Sequence, residues 1–167
     1  MQRRVFQLLV DNTSGVLSRI SGLFSRRGYN IESITAGVTA DPRFTRITIV
    51  ATGDDKILAQ IEKQVAKLVD VRDVKELKST ESVYRELALI KVRVSPEKRN
   101  NVISLTDIFR AKIIDVAPES LIVEMTGTQE KIDAFINDLM QEGYEILELA
   151  RTGIAGLGRG SENVTHL

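Results

Sequence analysis

What most constrains this chain is the order in which its hydrophobic periods alternate. Residues 5–10 (VFQLLV) form a short apolar run, as a buried strand does. Val16, Leu17, Ile20, Leu23 and Phe24 then recur at helical spacing and make one apolar stripe. Arg26 and Arg27 followed by Gly28 form a helix stop: cations at the negative end of the dipole, then a residue that tolerates positive φ. Residues 31–40 and 44–52 read as strands turning at Asp41-Pro42, and so as a hairpin. Ile57, Leu58, Ile61, Val65 and Leu68 give a second amphipathic helix, entered through Gly53-Asp54-Asp55, and residues 71–77 close the unit as a strand. The order is βαββαβ, the ferredoxin-like arrangement.

The same order returns roughly 80 residues later, as element order and not as sequence identity. Residues 85–94 read as a strand. Ser95-Pro96-Glu97 starts a helix, with Ser as cap and Pro in the first position. Residues 112–117 and 121–126 form a hairpin around Pro118-Glu119, and Ile132, Phe135, Ile136, Leu139 and Met140 make the cleanest helical stripe. Residues 146–150 read as the last strand. The expected fold class is α+β, two tandem ferredoxin-like βαββαβ domains at residues 1–77 and 84–152. A polar linker is expected at 78–83 (KSTESV), and a flexible tail bearing Gly153, Gly156, Gly158 and Gly160 at 153–167. One βαββαβ unit covers only one face of its sheet, so at least a homodimer is expected.

Composition removes several function classes. The 167 residues include 23 basic and 23 acidic side chains, which argues against a bulk phosphate-binding surface. There is no cysteine, which excludes disulfides, thiolate catalysis and Cys-ligated metals. The one histidine is His166, so neither a His-based catalytic dyad nor a zinc site is expected. The apolar start after Arg3 and Arg4 is too short for a signal-peptide core, and no run approaches the ~20 residues of a membrane span. A cytoplasmic protein without membrane or nucleic-acid partners is expected. The Asn12-Thr13-Ser14 and Asn163-Val164-Thr165 tripeptides match the glycosylation pattern by chance on this reading.

The most informative short segment is DNTSGVL, residues 11–17. Free N–H groups at a helix start attract a carboxylate. The second, third and fourth expected helices carry their own acids there: Asp54 and Asp55, Glu97, and Glu130. The first carries none, and Gly15 leaves room for close backbone approach. Asp11 and Asn12 would then meet an ammonium group, so a zwitterionic α-amino acid suits the pattern. The same residues also suit an ordinary capped helix entered through a turn. Tyr29-Asn30-Ile31 after Gly28 reads equally well as a helix stop leading into a strand.

The string NTSGVLSRISGLFSRRGYNIESITAGVT, residues 12–39, resembles the ACT domain of acetolactate synthase small subunits. DPRFTRITIV (41–50) and QIEKQVAKLVDVRDV (60–74) resemble the same family, as do RELALIKV (85–92), IFRAKIIDV (108–116) and ARTGIAGLGRG (150–160). The resemblance runs in register through both domains. It implies a regulatory subunit that is not itself an enzyme. Such a subunit activates a separate large catalytic subunit, in branched-chain amino acid biosynthesis, and confers feedback inhibition by valine. It implies no metal or cofactor in this chain, with thiamine diphosphate, magnesium and FAD expected in the catalytic partner. Carried over by position, Asn12, Gly15, Val16 and Leu17 would hold the effector from one protomer, and Asn30 and Ile31 would contribute from the other across an ACT homodimer. The alternative within sensing is an ACT regulator of a different enzyme.

Two rivals of other classes fare worse. A thiamine-diphosphate enzyme would need a Gly-Asp-Gly motif followed by paired asparagines. Gly53-Asp54-Asp55 matches it poorly and reads as a helix cap, and Asn100-Asn101 lies in the other domain. RNA-recognition modules share the βαββαβ order but stack bases on aromatics of their central strands, whereas these strands read VFQLLV and FTRITIVAT. Phe6 and Phe44 are expected as core or edge packing.

Overall fold

The computed structural model describes residues 1–161; His166 and Asn163-Val164-Thr165 lie outside the described residues. The described residues divide into two units, one of residues 1–84 together with residues 154–161, the other of residues 85–153.

The first unit runs β1 (Gln2–Asp11), α1 (Val16–Arg26), β2 (Asn30–Val38), β3 (Phe44–Gly53), α2 (Asp55–Val65) and β4 (Val71–Leu77), with antiparallel sheet order β2-β3-β1-β4. Alternate residues of the central strands, Phe6, Leu8 and Val10 with Ile47, Ile49 and Ala51, meet the stripes of the two helices: Val16, Ile20, Leu23 and Phe24, and Leu58, Ile61 and Val65. Each of these side chains larger than alanine contributes about 1.5–3 kcal/mol by leaving water, so the period of the sequence is also the map of the core. Phe6 lies in that core, while Phe44 begins β3 at its edge with the Arg43 guanidinium 5.4 Å from its ring centre. Strand β1 starts three residues before the apolar run. Its polar start pairs with β3 at Ala51–Gly53, while Arg3 bonds Glu32 and Arg4 bonds Asp55.

Strand β5 (Ser82–Arg93) begins in the first unit and from Arg85 on belongs to the second, which also holds α3 (Arg99–Ile108), β6 (Lys112–Ala117), β7 (Ser120–Gly127), α4 (Gln129–Gln141) and β8 (Glu145–Arg151), with strand order β6-β7-β5-β8. Its core gathers Ala88, Ile90 and Val92, Leu121, Val123 and Met125, Val102 and Leu105, and Ile132, Phe135 and Leu139. The entry to α3 differs from expectation. Pro96–Lys98 forms a 3-10 turn before the α-helix begins at Arg99, and Ser95 precedes that turn without capping it through its side chain.

Lys78 to Glu81 makes a tight turn, Glu81 N–H to Lys78 carbonyl at 3.0 Å, and β5 already begins at Ser82. The larger departure is at the other end. Where the sequence reads as a flexible tail from Gly153, residues Ala155–Gly158 form strand β9, which pairs with β5. Ile154 joins Val5, Val50 and Leu77 in a small cluster on the sheet face away from the helices, with Tyr84 packed against it. A Cβ on Gly156 would lie 2.9 Å from Leu77 Cδ1 and 3.1 Å from Tyr84 Cδ1, closer than packed carbons tolerate. Gly156 N–H also reaches the buried Thr48 hydroxyl at 3.4 Å. The face that a lone βαββαβ unit leaves open is thus partly covered by the chain's own return strand. The glycines that suggest mobility permit this close approach. Gly156→Ala is expected to destabilise the protein by about 1–3 kcal/mol through overpacking, read as a lowered midpoint of urea denaturation.

Candidate effector site

Strand β1 delivers Asp11 and Asn12 to one end of the first sheet, and the chain then turns through Gly15 into α1. Gly15 has φ +84°, a left-handed conformation that favours glycine. It stands at the N-cap position, where no side chain accepts a hydrogen bond, and the first turn of α1 has no acidic residue. By contrast, Asp54 accepts from Ile57 N–H at the start of α2, and Thr128 accepts from Lys131 N–H at the start of α4. Gly53-Asp54-Asp55 is therefore a helix cap. The first turn of α3 also lacks an acid, because Glu97 falls in the preceding 3-10 turn. Absence of acid therefore does not set α1 apart, contrary to the expectation from the sequence; the glycine opening does. Val16 is buried in the core, so only its backbone faces the loop, whereas Leu17 is about half exposed, at 48%.

Three Arg–Asp pairs surround this end of the sheet. Asp11, expected to be available to an ammonium group, is gripped by Arg72 through Nε at 2.7 Å and Nη2 at 2.8 Å. Those hydrogen bonds hold its carboxyl below the usual carboxylate value. Arg43 likewise grips Asp41, Nε to Oδ1 at 3.0 Å and Nη2 to Oδ2 at 2.6 Å. Arg19 bonds Asp70 through Nε alone, at 2.5 Å, tying α1 to the turn before β4. Asn12 is engaged too: its amide donates to the Pro42 carbonyl at 2.9 Å, and its Oδ1 accepts from the Thr45 hydroxyl at 3.2 Å. It fastens the loop to the β2–β3 hairpin. An Asp11 pKa depressed in the folded state adds stability above the unfolded value, 3.8, that disappears as pH falls through the folded value. A carboxyl-detected NMR titration should give Asp11 a midpoint below 3.8, returning towards it in Arg72→Met.

Asn30 and Ile31 open β2 at the opposite end of the sheet. Asn30 pairs with Thr52 in register and donates to its hydroxyl at 2.7 Å; Ile31 packs partly against the core. Asp11 pairs with Phe44, and 44 to 52 along β3 is about 27 Å at ~3.4 Å per residue. One protomer therefore brings Asn12, Gly15, Val16 and Leu17 together and keeps Asn30 and Ile31 far from them. A cavity of about 500 Å³ between α2 and β4, lined by Glu62, Lys63, Arg72 and Asp73 among others, contains none of these residues. Arg19 and Asp70 were not singled out by the sequence; they lie 51 positions apart, and only the fold joins them.

Comparison with known proteins assigns both halves to one family. Residues 6–73 match the small-subunit-like ACT domain of acetohydroxyacid synthase, and residues 85–160 match the small subunit of acetolactate synthase. The chain belongs to the acetolactate synthase small-subunit family. It is 49% identical over 160 residues to a probable acetolactate synthase small subunit from Archaeoglobus fulgidus, covering 96% of this chain and 99% of that one. It is 48% identical to the isozyme 3 small subunit of Escherichia coli, covering 96% and 98%. The crystal structure of an acetolactate synthase small subunit from Thermotoga maritima superposes with a TM-score of 0.87 at 43% identity, covering 97% of this chain and all of that one. Membership carries the α+β fold of two βαββαβ units with an ACT domain first, and a place in branched-chain amino acid biosynthesis. No helix among the described residues is long and apolar enough to cross a membrane.

Proposed function

We propose that this chain is the regulatory subunit of an acetolactate synthase, activating a large catalytic subunit and making it sensitive to valine. The observation that carries the reading is the match of both halves, in order, to one family of small subunits. Catalysis, with thiamine diphosphate, magnesium and FAD, belongs to the large subunit on this reading. A cytoplasmic location fits the same role.

The effector site is proposed at the Gly15 loop, completed by Asn30 and Ile31 of a second protomer. Strand β2 is an edge strand with exposed Ile34 and Val38, and such an edge invites pairing. Antiparallel, two-fold pairing of β2 with its copy would put the Asn30 end of one strand beside the Val38 end of the other. Val38 pairs with Thr45, the residue that bonds Asn12. The geometry thus supports a homodimer in which the two halves of the site meet. The amides at the start of α1 would take the carboxylate and the half-exposed Leu17 would meet the branched side chain. Binding regulates only if it favours one dimer arrangement over another. Calorimetric titration of the full-length protein should show saturable heat with L-valine and none with D-valine. Equal heat from both enantiomers, or none from L-valine, would count against the reading.

A further inference from the structure

We propose that Arg19 is the side chain that receives the carboxylate of the amino-acid effector, held in place for that task by Asp70. The inference rests on the effector site proposed above and adds a recognition residue to it.

Arg19 differs from its neighbours in how it is paired. Arg72 and Arg43 each spend two donors on one carboxylate, the saturated fork that structural Arg–Asp pairs favour. Arg19 spends only Nε on Asp70, at 2.5 Å, and its Nη2 makes a long contact of 3.4 Å with the Ser14 carbonyl. Nη1 has no hydrogen-bond partner among the described residues. That nitrogen lies 2.9 Å from where a Cβ on Gly15 would stand, so the open edge of the guanidinium rests directly over the glycine. Asp70 is mostly buried and Arg19 about half exposed. The arrangement is a cation anchored at one corner by a fixed carboxylate, with its bidentate edge turned towards the loop. A planar carboxylate is the group that edge is shaped to accept. Gly15 then has two duties: its backbone takes a left-handed turn, and its missing side chain leaves room for Arg19.

The test compares L-valine with L-valinamide, which keeps the ammonium and side chain but lacks the carboxylate, by calorimetry on the full-length protein. Wild type should prefer L-valine. In Arg19→Gln, loss of a charge-assisted hydrogen bond should weaken L-valine about 10–100-fold while valinamide binding stays as in wild type, so the preference collapses. Arg19→Lys keeps the charge without the fork and should recover part of it; it also serves if Arg19→Gln fails to fold. Asp70→Asn should reduce the preference as Arg19 loses its anchor. A purely structural ion pair would weaken both ligands alike, and that result, or an unchanged preference in Arg19→Gln, overturns the proposal. Wild type that binds no L-valine would instead overturn the effector-site reading on which it stands.

Discussion

Replacing Arg151 with methionine is expected to cost the second unit about 3–5 kcal/mol, enough to remove a large part of a domain's stability. Arg151, at the end of β8, places Nε and Nη2 each 2.9 Å from the two oxygens of Glu86, and Nη1 2.7 Å from Asp133 on α4. The Glu86 side chain is only 2% exposed. Without Arg151 it keeps one weak donor among the described residues, Gly153 N–H at 3.3 Å. The cost is that of stranding a buried carboxylate, not the worth of the pair, because desolvation offsets much of the attraction between the two charges. Glu86→Leu combined with Arg151→Met should therefore recover most of the loss. Asp133→Ala, which removes an exposed partner, should cost less than about 1 kcal/mol. Urea denaturation followed by far-ultraviolet circular dichroism reads all three. A double variant as unstable as Arg151→Met would mean that the contact, and not the stranded charge, carries the energy.

The second large effect is functional. An enzyme reconstituted with Gly15→Asp is expected to lose feedback, its inhibition curve for L-valine moving about 30–150-fold or more for a loss of ~2–3 kcal/mol in binding. The sequence alone suggests that an introduced carboxylate repels the effector's own. The structure adds a competing cause. A Cβ at position 15 meets Arg19 Nη1 at 2.9 Å, so the new carboxylate would capture the open edge of that guanidinium and lie at the positive end of α1. Gly15→Ala separates the two causes. If displacing Arg19 suffices, alanine desensitises strongly; if charge repulsion dominates, it does so weakly. Activity without valine should persist in both variants, because the loop is remote from catalysis on this reading. Unaltered valine inhibition in Gly15→Asp would remove the loop from the effector site.

How much was legible in the sequence follows from the range of the interactions concerned. The helices and central strands announce themselves because their apolar positions repeat within a few residues, and Phe6, Ile20, Leu58 and Ile61 indeed form the core. Gly28 ends its helix as read, at φ +67°. The register shifts at Ile31/Ser33 and Ile113/Asp115 have no such local signature, since a bulge is decided by the partner strand. Strand β9 was illegible for a related reason. Its residues AGLG lack strand propensity, and its pairing and the close fit of Gly156 are tertiary. In the candidate site, the uncapped start of α1 was visible because it is a property of adjacent residues. The engagement of Asp11 by Arg72 was not, because those residues are 61 positions apart.

The return of Ile154–Gly158 to the first unit has a consequence for how the protein is made. Synthesis proceeds from the N-terminus, and a domain of contiguous sequence can finish folding while the rest is still being translated. The first unit cannot. When its β4 emerges, Val5, Val50 and Leu77 still lack Ile154 and Tyr84, and Thr48 lacks the Gly156 amide. That apolar face stays wet until the whole second unit has passed through the ribosome. A nascent chain arrested near residue 84 should therefore be protease-sensitive at its sheet, and one released past residue 158 should not.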